Sequence, residues 1–210
     1  MVLWTIQAYE AYEKLLQDKV LTADSACIFY DDIQRDAFQV GYDWMVRQMK
    51  KRGLVQPENV DYPIWAWYKW EGKRKRHDMR SYSNPNKDKI VQLTIKIDDS
   101  EVLLTDFDTF HYALNYWYLP LDENESESFE KEYTNFGISR NDLRDISKQS
   151  REINNFRERI EKSWDRILDL EREDNNYVFG YNSEKSIQAT FWELRADQVI
   201  KAEVYPIKQR

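Results

Sequence analysis

Trp65, Trp67, Tyr68 and Trp70 fall within six positions, and the basic run Lys73-Arg74-Lys75-Arg76-His77 follows almost at once. Flat aromatic rings stack on bases and cationic side chains hold phosphate, so the pairing suits a nucleotide or a nucleic-acid strand. It equally describes a buried strand that ends in a solvated turn. Between Lys69 and Arg80 there are six Lys or Arg against Glu71 and Asp78. Lys73, Arg74, Arg76 and Arg80 are the candidate phosphate contacts, with Trp65, Trp67 and Trp70 as stacking surfaces.

Other chemistry has thinner support. Asp106, Asp108 and His111 are of metal-ligating types, but two aspartates at that spacing also cap a helix, and no metal site is assigned. With two histidines in the chain, a Ser or Cys triad has little to build on. No GxSxG, GxGxxG or GxxxxGK[ST] motif occurs, and five glycines are too few for a phosphate cradle of that kind. Asp and Glu are abundant, which makes any chosen carboxylate pair unspecific. Cys27 stands alone, so no intrachain disulfide forms and a cysteine-rich zinc site is excluded.

These residues need a scaffold, and 210 residues with 41% hydrophobic content can bury one. The formal net charge of -7 argues against nonspecific nucleic-acid binding driven by overall charge and leaves room for a local basic patch. The opening MVLWTIQAYE has no signal-peptide character and no stretch reaches membrane-span length, so the expected location is cytoplasmic, in a bacterial or phage setting.

Hydrophobic spacing outlines the elements. Val2–Ile6 reads as a strand and the next dozen residues as a helix. Ser25–Gln39 reads as loop-rich and Gly41–Lys51 as a helix. Ile64–Trp70 is an aromatic strand. Ile90–Ile97 alternates, with Val91, Leu93, Ile95 and Ile97 to one side and Gln92, Thr94 and Lys96 to the other. Asp98-Asp99-Ser100 would turn this strand into a hairpin with Glu101–Leu104. Thr105-Asp106-Phe107-Asp108 has the form of a capping box before a helix. The acidic stretch 122–137 reads as a flexible surface segment, and 139–171 as one long charged amphipathic helix or two. Ile187–Leu194 and Val199–Tyr205 are the last strands. The order predicts a single α+β domain over 1–210: a mixed or antiparallel sheet, N-terminal helices and a late helical insertion.

Two resemblances add to this reading. Leu3-Trp4-Thr5-Ile6-Gln7, Tyr42-Asp43-Trp44-Met45, Tyr62-Pro63-Ile64-Trp65-Ala66-Trp67, Asp106-Phe107-Asp108 with His111, Ser163-Trp164 and Gln188-Ala189-Thr190-Phe191-Trp192-Glu193 resemble the landmarks of a bacterial domain-of-unknown-function family. That likeness covers nearly the whole chain and implies no activity. More distantly, the two ends resemble ADP-ribosyltransferase folds, especially those that modify DNA. This second likeness implies a site for NAD, with aromatic walls around nicotinamide and a carboxylate that steadies an oxocarbenium-like transition state. Thr5 stands where that family has Arg or His. Thr190 stands near the expected glutamate, with Glu193 the nearby carboxylate.

The resulting expectation is a nucleotide or nucleic-acid binding protein with an ADP-ribosyltransferase-like site, with or without catalysis. Trp4, Gln7, Trp65, Trp67, Arg80 and Gln188 would bind the ligand, and Glu193 would be the catalytic carboxylate. The alternative is a protein-interaction module, a phage or mobile-element accessory factor acting through 139–171.

Overall fold

The computed structural model describes residues 1–23, 32–79, 89–174 and 177–206, with backbone alone for 32–37. In chain order the elements are β1 (Val2–Ala8), α1 (Tyr9–Asp18), β2 (Val20–Thr22), α2 (Asp32–Lys51), β3 (Ile64–Lys69), β4 (Lys89–Lys96), β5 (Leu103–Asp106), α3 (Phe107–Leu114), α4 (Glu123–Asn135), α5 (Arg140–Arg144), α6 (Arg151–Ser163), β6 (Ile187–Phe191), β7 (Glu193–Arg195) and β8 (Val199–Pro206). The fold is α+β. A six-stranded sheet runs in the order β5-β6-β3-β1-β4-β8, and β2 pairs with β7 in a second sheet. The β1–β3, β1–β4, β3–β6 and β4–β8 pairs are antiparallel.

The chain divides into two compact units. The first comprises Met1–Tyr30, Val46–Leu104 and Ser186–Arg210. Its core takes one face of the large sheet: Leu3, Ile64, Ala66, Val91, Leu93, Ile95, Ala189 and Phe191. Leu15 of α1, Leu21 of β2 and Leu194 of β7 belong to the same cluster. Strand alternation puts these residues on one side, and removing their apolar surface from water holds the layer together.

The second unit comprises Asp31–Met45 and Thr105–Lys185 and is helical. Its centre is ring against ring. Trp44 meets Trp164 edge-on with centroids 6.3 Å apart, and Phe129 meets Phe156 at 5.7 Å. Gly41 has no side chain for a reason: a Cβ there would lie 3.0 Å from the backbone of Ala113 and Leu114.

Several expectations change. Helix α2 begins at Asp32, inside the stretch read as loop-rich. The β4–β5 hairpin does not form, since β1, β3 and β6 lie between those strands. A 3-10 turn at Asp99–Glu101, capped by Asp98, carries the chain away instead. The acidic segment is helical: Asp122 caps α4, and Phe129 and Tyr133, one turn apart, are buried. The region 139–171 holds α5, α6 and a 3-10 turn at Trp164–Leu168. Asp106, rather than Thr105, caps α3. Cys27 lies outside the described residues.

Candidate functional site

The face of the large sheet opposite the core belongs to the first unit and carries aromatic and polar residues. Trp4 of β1 pairs with Trp67 of β3, Trp67 with Gln188 of β6, and Trp4 with Thr94 of β4. Trp65 pairs with Thr190, and Ile6 with Gln92. The core residues Leu3, Ala66, Leu93 and Ala189 alternate with these, so the tryptophans point the other way. Trp4, Trp65 and Trp67 are half-buried.

The basic run reaches this face through a tight turn. Trp70 and Lys73 exchange backbone hydrogen bonds of 2.9 and 3.0 Å. Glu71 and Gly72 between them have φ of 47° and 72°, the left-handed pair that a type I′ turn requires. The Glu71 N–H donates to Ser186 Oγ at 3.0 Å, which ties the turn to the start of β6.

The turn brings the rings and the cations together. Trp67 and Trp70 meet edge-on at 4.5 Å, and Trp70 and His77 at 4.6 Å. The Arg74 guanidinium lies 3.7 Å from the Tyr68 ring centroid and 5.2 Å from that of Trp4. Its Nη2 donates to Val2 O at 2.6 Å. Burial lowers the pKa of this guanidinium, and Tyr68 opposes that effect. Lys73 is exposed, Lys75 pairs with Glu71 at 2.8 Å, and Arg76 pairs with Glu203.

Beside these rings a cavity of about 420 Å³ is lined by Arg76, His77, Asp78, Met79, Gln92 and Tyr205. Gln92 is 2% exposed. Its Nε2 donates to His77 O at 2.9 Å, while its Oε1 is buried with no hydrogen-bond partner among the described residues. Gln92 and Tyr205 are not among the site residues expected from the sequence. The available signal was a carboxamide on the non-core side of the most regular strand.

The other proposed residues scatter. Gln7 is three residues from Trp4 and so lies on the opposite face, where its Nε2 donates to Thr5 Oγ1 at 2.7 Å. Glu193 pairs with Thr22 in the small sheet. It lines a different cavity, of about 330 Å³, with Trp192, Arg195 and Glu101. Arg80 lies outside the described residues. Thr5 and Thr190, at the positions that differ from the transferase pattern, are buried and bond to Trp65 O at 2.7 Å and Leu103 O at 3.3 Å. Asp106 Oδ1 accepts from the Asp108 and Thr109 N–H groups, and His111 Nδ1 is 2.9 Å from Phe107 O.

A family model described as a domain of unknown function, DUF3841, matches residues 2–200. The chain belongs to this family. No curated protein and no solved structure matches it. The family description names no activity, so the chemistry of the aromatic face is the guide to what this DUF3841 member does. Among the described residues, no helix is long and apolar enough to cross a membrane.

Proposed function

We propose that this face binds a nucleotide unit, either free or within a single strand. The base stacks on the Trp4–Trp67 pair and the phosphate meets Lys73, Arg74 and Arg76. The observation that carries the reading is Trp4 beside Trp67 on adjacent central strands, with the Arg74 guanidinium over the Trp4 ring. A sheet face with aromatic residues on neighbouring central strands is a platform on which bases stack.

Binding without transfer is the form of this reading that the residues support. Glu193, the candidate carboxylate, sits in β7 opposite Thr22 and lines a cavity without Trp4, Trp67 or Gln188. The interaction reading needs a bare apolar stripe on the late helices. Phe156 and Ile160 of α6 are buried, as are Trp164 and Ile167 after it.

Intrinsic tryptophan quenching with AMP and NAD, and anisotropy of a labelled oligo-dT, test the proposal in two arms. Saturation by the mononucleotides alone identifies a free nucleotide, and saturation by oligo-dT identifies a strand. Trp4→Leu should weaken the bound probe about tenfold or more, since stacking contributes roughly 1–3 kcal/mol per base. Absence of saturation with every probe ends the reading.

A further inference from the structure

We propose that β8 is the seam of a homodimer, in which two copies of this chain pair edge to edge, antiparallel about Ala202. The proposal stands apart from the nucleotide reading of the aromatic face.

Strand β8 ends the large sheet. It has β4 on one side and, among the described residues, no strand on the other. An edge strand of 8 residues presents a row of backbone N–H and C=O groups that another strand can pair. Its side chains are open as well. Ala202 pairs with Leu93 and Val204 with Val91, both core residues, so β8 continues the core face of the sheet. That face ends in bare aliphatic groups, with Ile200 59% and Val204 47% exposed. A further strand carries the apolar layer on and takes this surface out of water.

The order of residues along β8 says which strand fits. Ile200-Lys201-Ala202-Glu203-Val204 reads alike from either end once Lys is matched to Glu. Antiparallel pairing with a two-fold axis at Ala202 sets Lys201 against the partner's Glu203 and Ile200 against the partner's Val204, and the symmetry makes each contact twice. Opposite charges and β-branched pairs directly across a ladder both stabilise it. A lone lysine on an edge discourages pairing, but in this register it meets a carboxylate. Lys201 Nζ lies 3.0 Å from Glu203 Oε1 of its own chain, yet the side chain is 57% exposed and keeps donors for a second carboxylate. Ile200 is the extra residue where the β4 register shifts, opposite Thr94 and Ile95, and the ladder is regular from Lys201 to Pro206. Residues opposite one another in a ladder point to the same face, so the joined sheet carries the aromatic faces of both copies on one side.

Sedimentation equilibrium of the full chain over the micromolar range tests the seam. The unaltered protein should sediment as a dimer. Lys201→Glu sets Glu against Glu at both symmetric contacts, and Glu203→Lys sets Lys against Lys. Each should weaken dimerisation about tenfold or more. Mixed in equal amounts, the two variants should dimerise again, because every like-charge contact becomes a Lys–Glu contact in the mixed pair. A monomer at every concentration overturns the proposal and leaves the edge to a strand of another protein. A dimer that neither variant weakens also overturns it, since the copies then meet elsewhere. A mixture of folded variants, checked by circular dichroism, that stays monomeric overturns the register about Ala202. The mass of the unaltered protein decides the first point even if a variant folds poorly.

Discussion

Lys185 Nζ lies 3.6 Å from Asp106 Oδ2, with the two side chains 2% and 3% exposed. The pair joins the two ends of the long segment that builds the helical unit, Thr105–Lys185. The lysine also donates to Leu170 O, at 3.3 Å, and to Arg172 O. Truncating one member leaves a buried charge alone. Lys185→Met should cost about 3–5 kcal/mol in urea unfolding, and Asp106→Asn combined with Lys185→Met should cost less than the sum of the single changes.

The same aspartate gives a pH signature. Burial raises its pKa above the ordinary carboxylate value, with the Thr109 N–H and Lys185 pulling the other way. The native state therefore holds the proton more tightly than the unfolded chain. That contribution is complete below the unfolded pKa and is lost as pH rises through the elevated folded value. Asp106→Asn keeps an oxygen for the α3 cap and should flatten this part of the stability–pH curve, as read from urea midpoints.

Asp174 should behave in the opposite sense. Its carboxylate accepts from the N–H groups of Tyr177, Val178, Phe179 and Gly180, at 2.8 to 3.0 Å. Burial works to raise its pKa, yet the four N–H groups together hold it below the ordinary value. Stability from this group is present above the unfolded pKa and lost as pH falls through the folded one. Asp174→Ala should cost about 2–3 kcal/mol and speed amide exchange at residues 177–180, because four donors lose a charged acceptor.

Gly41→Ala tests the close approach of α2 and α3. The added Cβ would lie 3.0 Å from Ala113 and Leu114 backbone atoms, which cannot swing aside as a side chain would. The substitution should destabilise by about 1–3 kcal/mol despite alanine's better helix propensity. An unchanged thermal midpoint would show that the helices separate at little cost.

Glu71→Asn tests the turn that folds the basic run back. Glu71 has φ of 47°, a conformation that asparagine adopts more readily, and Asn-Gly is the favoured type I′ pair. The change should stabilise by roughly 0.5 kcal/mol in thermal unfolding, since the exposed Glu71–Lys75 pair contributes little. A fall in stability would mean that this pair outweighs the turn.

Much of the fold was readable locally. Alternation and β-prone composition placed β1, β4, β6 and β8, and helical spacing placed α1 and the second half of α2, because both periods are properties of neighbouring residues. The aromatic and basic composition of the site was equally plain. Face was partly readable too: Trp4 and Gln7 are three apart, so one strand could never present both together. Helix α4 was missed because Phe129 and Tyr133 are a thin apolar signal among many acids.

The sequence by itself determined an α+β chain with an aromatic strand and a basic run. Only the tertiary structure decided that Trp4 stands beside Trp67, that Gln92 is buried on the face opposite the core, and that Glu193 belongs to another sheet. Each of these depends on which strands pair and in what register. Pairing joins residues from distant parts of the chain, and the free energy that selects it comes from burying all those surfaces at once.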